Sequence, residues 1–271
     1  MKRVKLILGV LLASSSFSIF AHDPVFGIGP HVLFKGGSDL ALKTNTGQAG
    51  EKTASGVGVE LVYGITGDWA AGLELPYAYK KDAAETANGV ADMRLFTKYR
   101  FWRKDSFGAQ DSAAILLAAN LNNGDDNANP KLGNGANDFI GGLTYGFESL
   151  EWYRWASIRY RYNGENNARF QLGNKTLVDF VLGWRPTLPE YKKPDTVWLL
   201  ELNSEFSEKS KSVDDDLANS GGIESFISPG IFWTYRNFAI KAGIQIPIYS
   251  NLNGVQEKSD FRAKSSLEWH F

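Results

Sequence analysis

The residues in this chain that could do chemistry are mostly charged side chains recurring at every second position. They are Glu60, Glu74, Arg94, Lys98, Arg100, Arg159, Arg161, Asp179, Arg185, Glu201, Glu205, Glu224, Lys241, Arg262, Lys264 and Glu268. Both signs occur in similar number. Charges withdrawn from bulk water must be hydrated or paired, because an unpaired buried charge is very costly. Arg94, Lys98 and Arg100 on one segment, with Arg159 and Arg161 on another, could form a basic ladder selecting anionic or polar solutes. The same residues could instead sit in an ion-pair network with the acids opposite.

Catalytic constellations are sparse. Acyl-transfer chemistry needs a serine, a histidine and an orienting group. The chain has only His22, His31 and His270. None lies in a mid-chain segment beside a serine, and no Gly-x-Ser-x-Gly elbow occurs. Asp125, Asp126, Asp214, Asp215 and Asp216 lie in polar segments. They read as solvated loop tips, with weak divalent-cation binding beside lipopolysaccharide as a second reading. His22, Asp23 and His31 are weak candidates for a copper or zinc site at a processed amino terminus. His270 reads as a satisfied polar residue. There is no cysteine, so disulfides and thiolate sites are excluded. Net charge is −1 and no basic stripe occurs, so nucleic-acid binding is not expected. No cofactor is implied, and the chain reads as a non-enzyme.

The elements that would position these charges follow a strict period of two. From Phe261 the residues Phe261, Ala263, Ser265, Leu267, Trp269 and Phe271 alternate with Arg262, Lys264, Ser266, Glu268 and His270. The same alternation recurs around 57–66, 93–102, 139–147, 178–185 and 238–249. Such segments number about twelve, at 30–44, 53–66, 69–81, 90–104, 112–122, 137–149, 152–163, 175–185, 196–207, 223–236, 238–249 and 260–271. Short connections (Gly67-Asp68, Leu150-Glu151, Asn237) alternate with longer polar ones (Asn123–Ala136, Gly164–Asn174, Glu208–Gly222, Asn251–Ser259). Aromatics gather near segment ends at Trp69, Tyr77, Tyr79, Trp152, Tyr162, Trp184, Tyr235 and Trp269. An even number of alternating strands, short turns on one side and an aromatic girdle describe a transmembrane antiparallel β-barrel with up-and-down topology. Apolar faces would meet lipid, and the charged faces would line a narrow lumen.

The amino terminus supports export. Lys2, Arg3 and Lys5 precede the apolar run Leu6–Ala13, then Ser14-Ser15-Ser16 and Ile19-Phe20-Ala21. This predicts a signal peptide over 1–21, too short to span a bilayer as a helix. The expected location is the outer membrane of a Gram-negative cell. Residues 22–30 do not read as a clean strand and are expected to form either a small plug or a periplasmic tail. Trp269 and the terminal Phe271 resemble the signature read by the barrel-assembly machinery.

The chain resembles the outer-membrane transporter family named for the meta-pathway of phenol degradation. The resemblance rests on Tyr63–Trp69, Gly72–Tyr77, Gly89–Asp92, Lys98–Phe101, Glu201-Leu202-Asn203, Ser228–Ile231, Ala242–Pro247 and Trp269-His270-Phe271. It covers most of the chain after the signal peptide. It implies a barrel that moves small compounds, hydrophobic or aromatic ones among them, and carries no catalytic residues across. The expected function is therefore a channel or transporter for an unidentified small solute. The alternative is a structural or loop-binding barrel with an occluded lumen, and an outer-membrane enzyme comes third.

Overall fold

Alternation of apolar and polar side chains forces an extended chain to bury or solvate one face at a time, and a closed sheet satisfies every backbone group without an edge. The computed structural model describes residues 23–188 and 193–271. The expected signal peptide and His22 lie outside the described residues. The twelve barrel strands are β1 (Ser38–Ala49), β2 (Lys52–Gly64), β3 (Trp69–Asp82), β4 (Arg94–Ser106), β5 (Ala109–Asn120), β6 (Asp138–Ser149), β7 (Trp152–Tyr162), β8 (Lys175–Trp184), β9 (Asp195–Ser207), β10 (Gly222–Tyr235), β11 (Phe238–Leu252) and β12 (Phe261–His270). Each pairs antiparallel with its sequence neighbours, and β1 closes the barrel on β12 from Asp39↔His270 to Gln48↔Phe261. A six-residue strand, Glu85–Val90, continues the β4 side of the β3 hairpin beyond the barrel wall.

The apolar face points outward. Leu61, Leu75, Leu117, Leu143, Phe180, Trp198 and Ile246 are all exposed. In water this surface would be an aggregation liability. In a bilayer each such side chain gains about 1.5–3 kcal/mol from leaving water. Trp69, Tyr77, Tyr79, Trp152, Tyr162 and Trp184 are exposed near strand ends, where a membrane interface holds aromatic rings.

Short turns (residues 65–68, 107–108, 150–151 and 236–237) gather at one end together with Ser38 and Phe271. That is the periplasmic end of such barrels. At the other end the connections 121–137, 163–174, 208–221 and 253–260 are longer. Two of them form a small three-stranded sheet from Phe170–Gln171, Lys211–Ser212 and Asp215–Asp216. There Asp214 pairs with Arg169, while Asp125 accepts the amides of Asn127 and Ala128 at 3.0 and 3.2 Å.

Two sequence expectations are corrected. The first strand begins at Ser38 rather than near residue 30. Gly36 adopts a left-handed φ of 81° and Gly37 follows it, so the chain turns there and residues 30–35 belong to a separate segment. On β4 the alternation places Trp102 with the inward residues. A bulge between Arg100 and Trp102 resets the register, so Phe101 and Trp102 both face outward and Trp102 stacks on Tyr145 at 6.3 Å.

Candidate functional site

The segment preceding β1 runs through the inside of the barrel. Pro24 and Phe26 to Val32 are buried although they belong to no strand. A chain in that position must find partners for its backbone groups, since no ladder supplies them. The barrel wall does so. Glu201 on β9, 1% exposed, accepts the amides of Val25 at 2.7 Å and Gly27 at 2.9 Å, with Phe26 bridging both oxygens at 3.2 and 3.3 Å. Arg159 on β7 donates to the carbonyl of Phe26 at 3.2 Å, and Thr144 on β6 donates to that of Ile28 at 2.9 Å. His31 bonds Glu148, whose Oε1 also accepts Trp155 Nε1 at 2.6 Å.

The wall behind this strap is a closed polar network. Asp179 accepts Ser157 at 2.7 Å, Arg159 at 2.6 Å and Asn203 at 2.8 Å. Asn203 in turn accepts Ser228 at 2.7 Å and Gln245 at 3.1 Å. Glycine makes room where the strap lies closest. A Cβ at Gly146 would fall 2.5 Å from Trp155 and 2.8 Å from Pro30, and one at Gly243 would fall 3.1 Å from Phe26.

The strap ends by crossing toward the far wall. Lys98 on β4 holds both carboxylate oxygens of Asp23 at 2.6 and 2.8 Å, and Lys241 on β11 reaches its carbonyl at 3.5 Å. Burial disfavours the Asp23 charge. The Lys98 ammonium, then Lys241, the hydrogen bond from Lys98 and His31 outweigh it, so the carboxyl lies below its ordinary 3.8.

Beside the strap remains a cavity of about 360 Å³. Its polar lining includes Lys43, Glu60, Glu74, Arg94, Lys264 and Glu268, and its apolar lining includes Phe26, Val62, Phe96 and Leu116. Lys43 bonds Glu60 and lies 3.5 Å from Glu74, and Lys241 pairs with Glu268 at 2.7 Å.

The five cations expected to form a ladder are dispersed by their partners. Lys98 goes to Asp23, Arg100 to Asp68 in a short turn at 2.7 Å, Arg159 to Asp179 and Arg161 to Asp138 at 2.5 Å. The Arg94 side chain alone of the five has neither an ion pair nor a hydrogen bond among the described residues. Arg185 pairs with Asp195 at 2.9 Å over the ring of Tyr153, at the short-turn end. Near the loop end, Arg262 joins Glu205 at 2.5 Å and Glu224 at 3.3 Å over the ring of Phe226. Trp269 packs on Phe238 with ring centres 5.2 Å apart. Phe271 is exposed, and its backbone exchanges two hydrogen bonds with Ser38.

Of the histidines, His31 is committed to Glu148 and the edge of Trp155, and His270 lies 3.5 Å from Asp39. No group of three or more metal-ligating side chains occurs among the described residues.

Sequence reasoning missed Lys43, Asp138, Glu148 and Asn203 as parts of the lumen, and left residues 22–30, with Asp23, between a plug and a periplasmic tail. Lys43 and Glu148 continue the inward alternation of β1 and β6 and were accessible from it. Asp23 lies outside any strand and gave no periodic signal.

No protein of curated function matches the chain in sequence. In solved structures the barrel resembles an outer membrane channel from Pseudomonas putida F1, with a TM-score of 0.71 at 12% identity over 89% of this chain and 98% of that one. It also resembles the NanC porin, with a TM-score of 0.50 at 10% identity over 85% and 98% of the two chains. At these identities the likeness concerns the fold, a closed barrel of the outer membrane. A family model carries the sequence relation further, matching residues 21–251. Strand count, lipid-facing surface and this match agree, and the chain belongs to the outer-membrane barrel family described as "Putative MetA-pathway of phenol degradation".

Proposed function

We propose that this barrel is a channel for a small solute, and that the N-terminal strap restricts passage through it. One observation carries the reading: a non-strand segment held inside the lumen by Glu201, Arg159, Thr144 and Lys98, with a solute-sized cavity left beside it. A cavity of this size suits one small molecule, and its mixed lining suits a compact apolar body with a polar head. The fold neighbours described as a channel and a porin support conduction as the activity. The barrel's partners on this reading are lipid and lipopolysaccharide around its apolar belt, the assembly machinery at Trp269 and Phe271, and the solute in the lumen.

A second reading has a specific observation behind it. The strap's hydrogen bonds are well satisfied, which favours a permanently occluded barrel that acts through its outer loops. Single-channel recording of the mature protein in a planar bilayer separates the two. The channel reading expects brief, small openings that become larger and longer when Glu201→Ala frees the strap. A barrel that stays silent in both forms, while folded by circular dichroism, overturns conduction and leaves the occluded reading.

A further inference from the structure

We infer that the open half of the lumen contains a binding site for a small monocarboxylate, seated between the Arg94 guanidinium and the Lys264 ammonium. The inference rests on the chamber being a solute site and names the chemistry of its occupant. Arg94 and Lys264 line the same cavity. Among the described residues neither side chain makes an ion pair or a hydrogen bond. Lys264 instead lies 5.2 Å from the centre of the Phe26 ring, which belongs to the strap.

Arg159 and Lys43 line the same cavity as Arg94 and Lys264. The acids lining the cavity lie beside other cations or imidazoles: Glu268 pairs with Lys241 at 2.7 Å, and Asp39 lies 3.5 Å from His270. Glu74, the cross-strand neighbour of Arg94, and Glu60 both turn to Lys43. Both oxygens of Glu201 are filled by strap amides. Asp179 is occupied by Arg159, Ser157 and Asn203. Two cations that line one cavity and have no side-chain ion pair there leave a place for an anion between them.

Chemistry narrows the anion. A guanidinium offers two parallel N–H groups matched to a carboxylate, and an ammonium adds a point charge. Phe26, Phe96, Val62 and Leu116 line the same space and suit an apolar body behind the carboxylate. Inorganic phosphate would find the charges but leave those side chains uncovered.

The test is isothermal titration of the full mature protein, refolded in detergent, with benzoate, benzyl alcohol and inorganic phosphate. Saturable benzoate binding is expected, with benzyl alcohol at least about tenfold weaker. Arg94→Gln and Lys264→Gln should each weaken benzoate about tenfold, equivalent to about 1.4 kcal/mol. Arg100→Gln, at the short-turn end, should leave it unchanged. Equal binding of benzyl alcohol, tighter binding of phosphate than benzoate, or unchanged affinity in both cavity variants overturns the inference. Should the variants not fold, the benzoate and benzyl alcohol comparison on the wild-type protein decides alone. The titration requires no passage through the barrel, so the two readings fail separately. Bound benzoate in a silent barrel removes the channel, and conduction without carboxylate preference removes the site.

Discussion

The two sides of the lumen carry charges by the same alternating pattern and dispose of them differently. On the side formed by β6 to β10, each acid is surrounded by donors. Asp179 has three side-chain partners and Glu201 has the strap amides, and both are at most 2% exposed. On the side formed by β1 to β4 and β12, charges face a cavity, and Lys43 and Glu60 keep side-chain exposures of 32% and 15%. A buried network of this kind tolerates no missing member, because each lost partner strands a desolvated group. On the other side the cavity leaves room for water beside a group that loses its partner. The difference teaches where rigidity and where exchange reside: the packed side positions the strap, and the open side is free to receive something else.

This contrast can be broken at several points. Glu201→Ala leaves three consecutive strap amides without an acceptor and should cost about 3 kcal/mol or more. The strap would then become cleavable by protease in the folded barrel, and persistence of full protection would contradict its anchoring role. Gly146→Leu inserts side-chain atoms where Trp155 and Pro30 already stand. It should cost about 1–3 kcal/mol through overpacking and shift strap protection in the same direction. Asp23→Asn removes the charge that joins the strap to Lys98 and should cost about 1–3 kcal/mol.

The same aspartate predicts a pH dependence. Its carboxyl is more acidic in the folded protein than its ordinary 3.8, so its stabilising contribution is complete above that value and is lost as pH falls below it. Hydrogen exchange of the strap amides should therefore accelerate below about pH 4, and Asp23→Asn should remove that acid step. The smallest effect is expected on the open side. Lys43→Ala should change stability by no more than about 1 kcal/mol in a denaturant titration, because water reaches the pair. A larger loss there would erase the distinction between the two sides.

Much of the barrel was legible because period-two alternation leaves a mark on every strand. Val57 to Ile65 and Phe261 to Phe271 announce their faces residue by residue. Strand limits were legible only where turn residues stood. At Pro30 to Lys35 apolar residues imitated a strand start, and only the turn at Gly36 and Gly37 separates them from β1. Trp102 was misassigned because a bulge leaves no trace in a strict alternation. The strap itself was the hardest part to read. Its partners, Glu201, Thr144, Arg159 and Lys98, lie about 75 to 176 residues away along the chain, and no local pattern encodes such a meeting.

The strap is tied to the barrel at the seam where β1 meets β12, and this gives it the standing of a tethered ligand. Its 15 residues from Asp23 to Gly37 can extend at most about 50 Å from that anchor at roughly 3.3–3.6 Å per residue. A short tether of this kind holds its own end at an effective concentration on the order of millimolar. Any molecule seeking the same volume competes against a rival that never diffuses away. Because the strap also lends Phe26 to the cavity beside it, loosening its grip would widen the lumen and strip part of that cavity's apolar lining in one step.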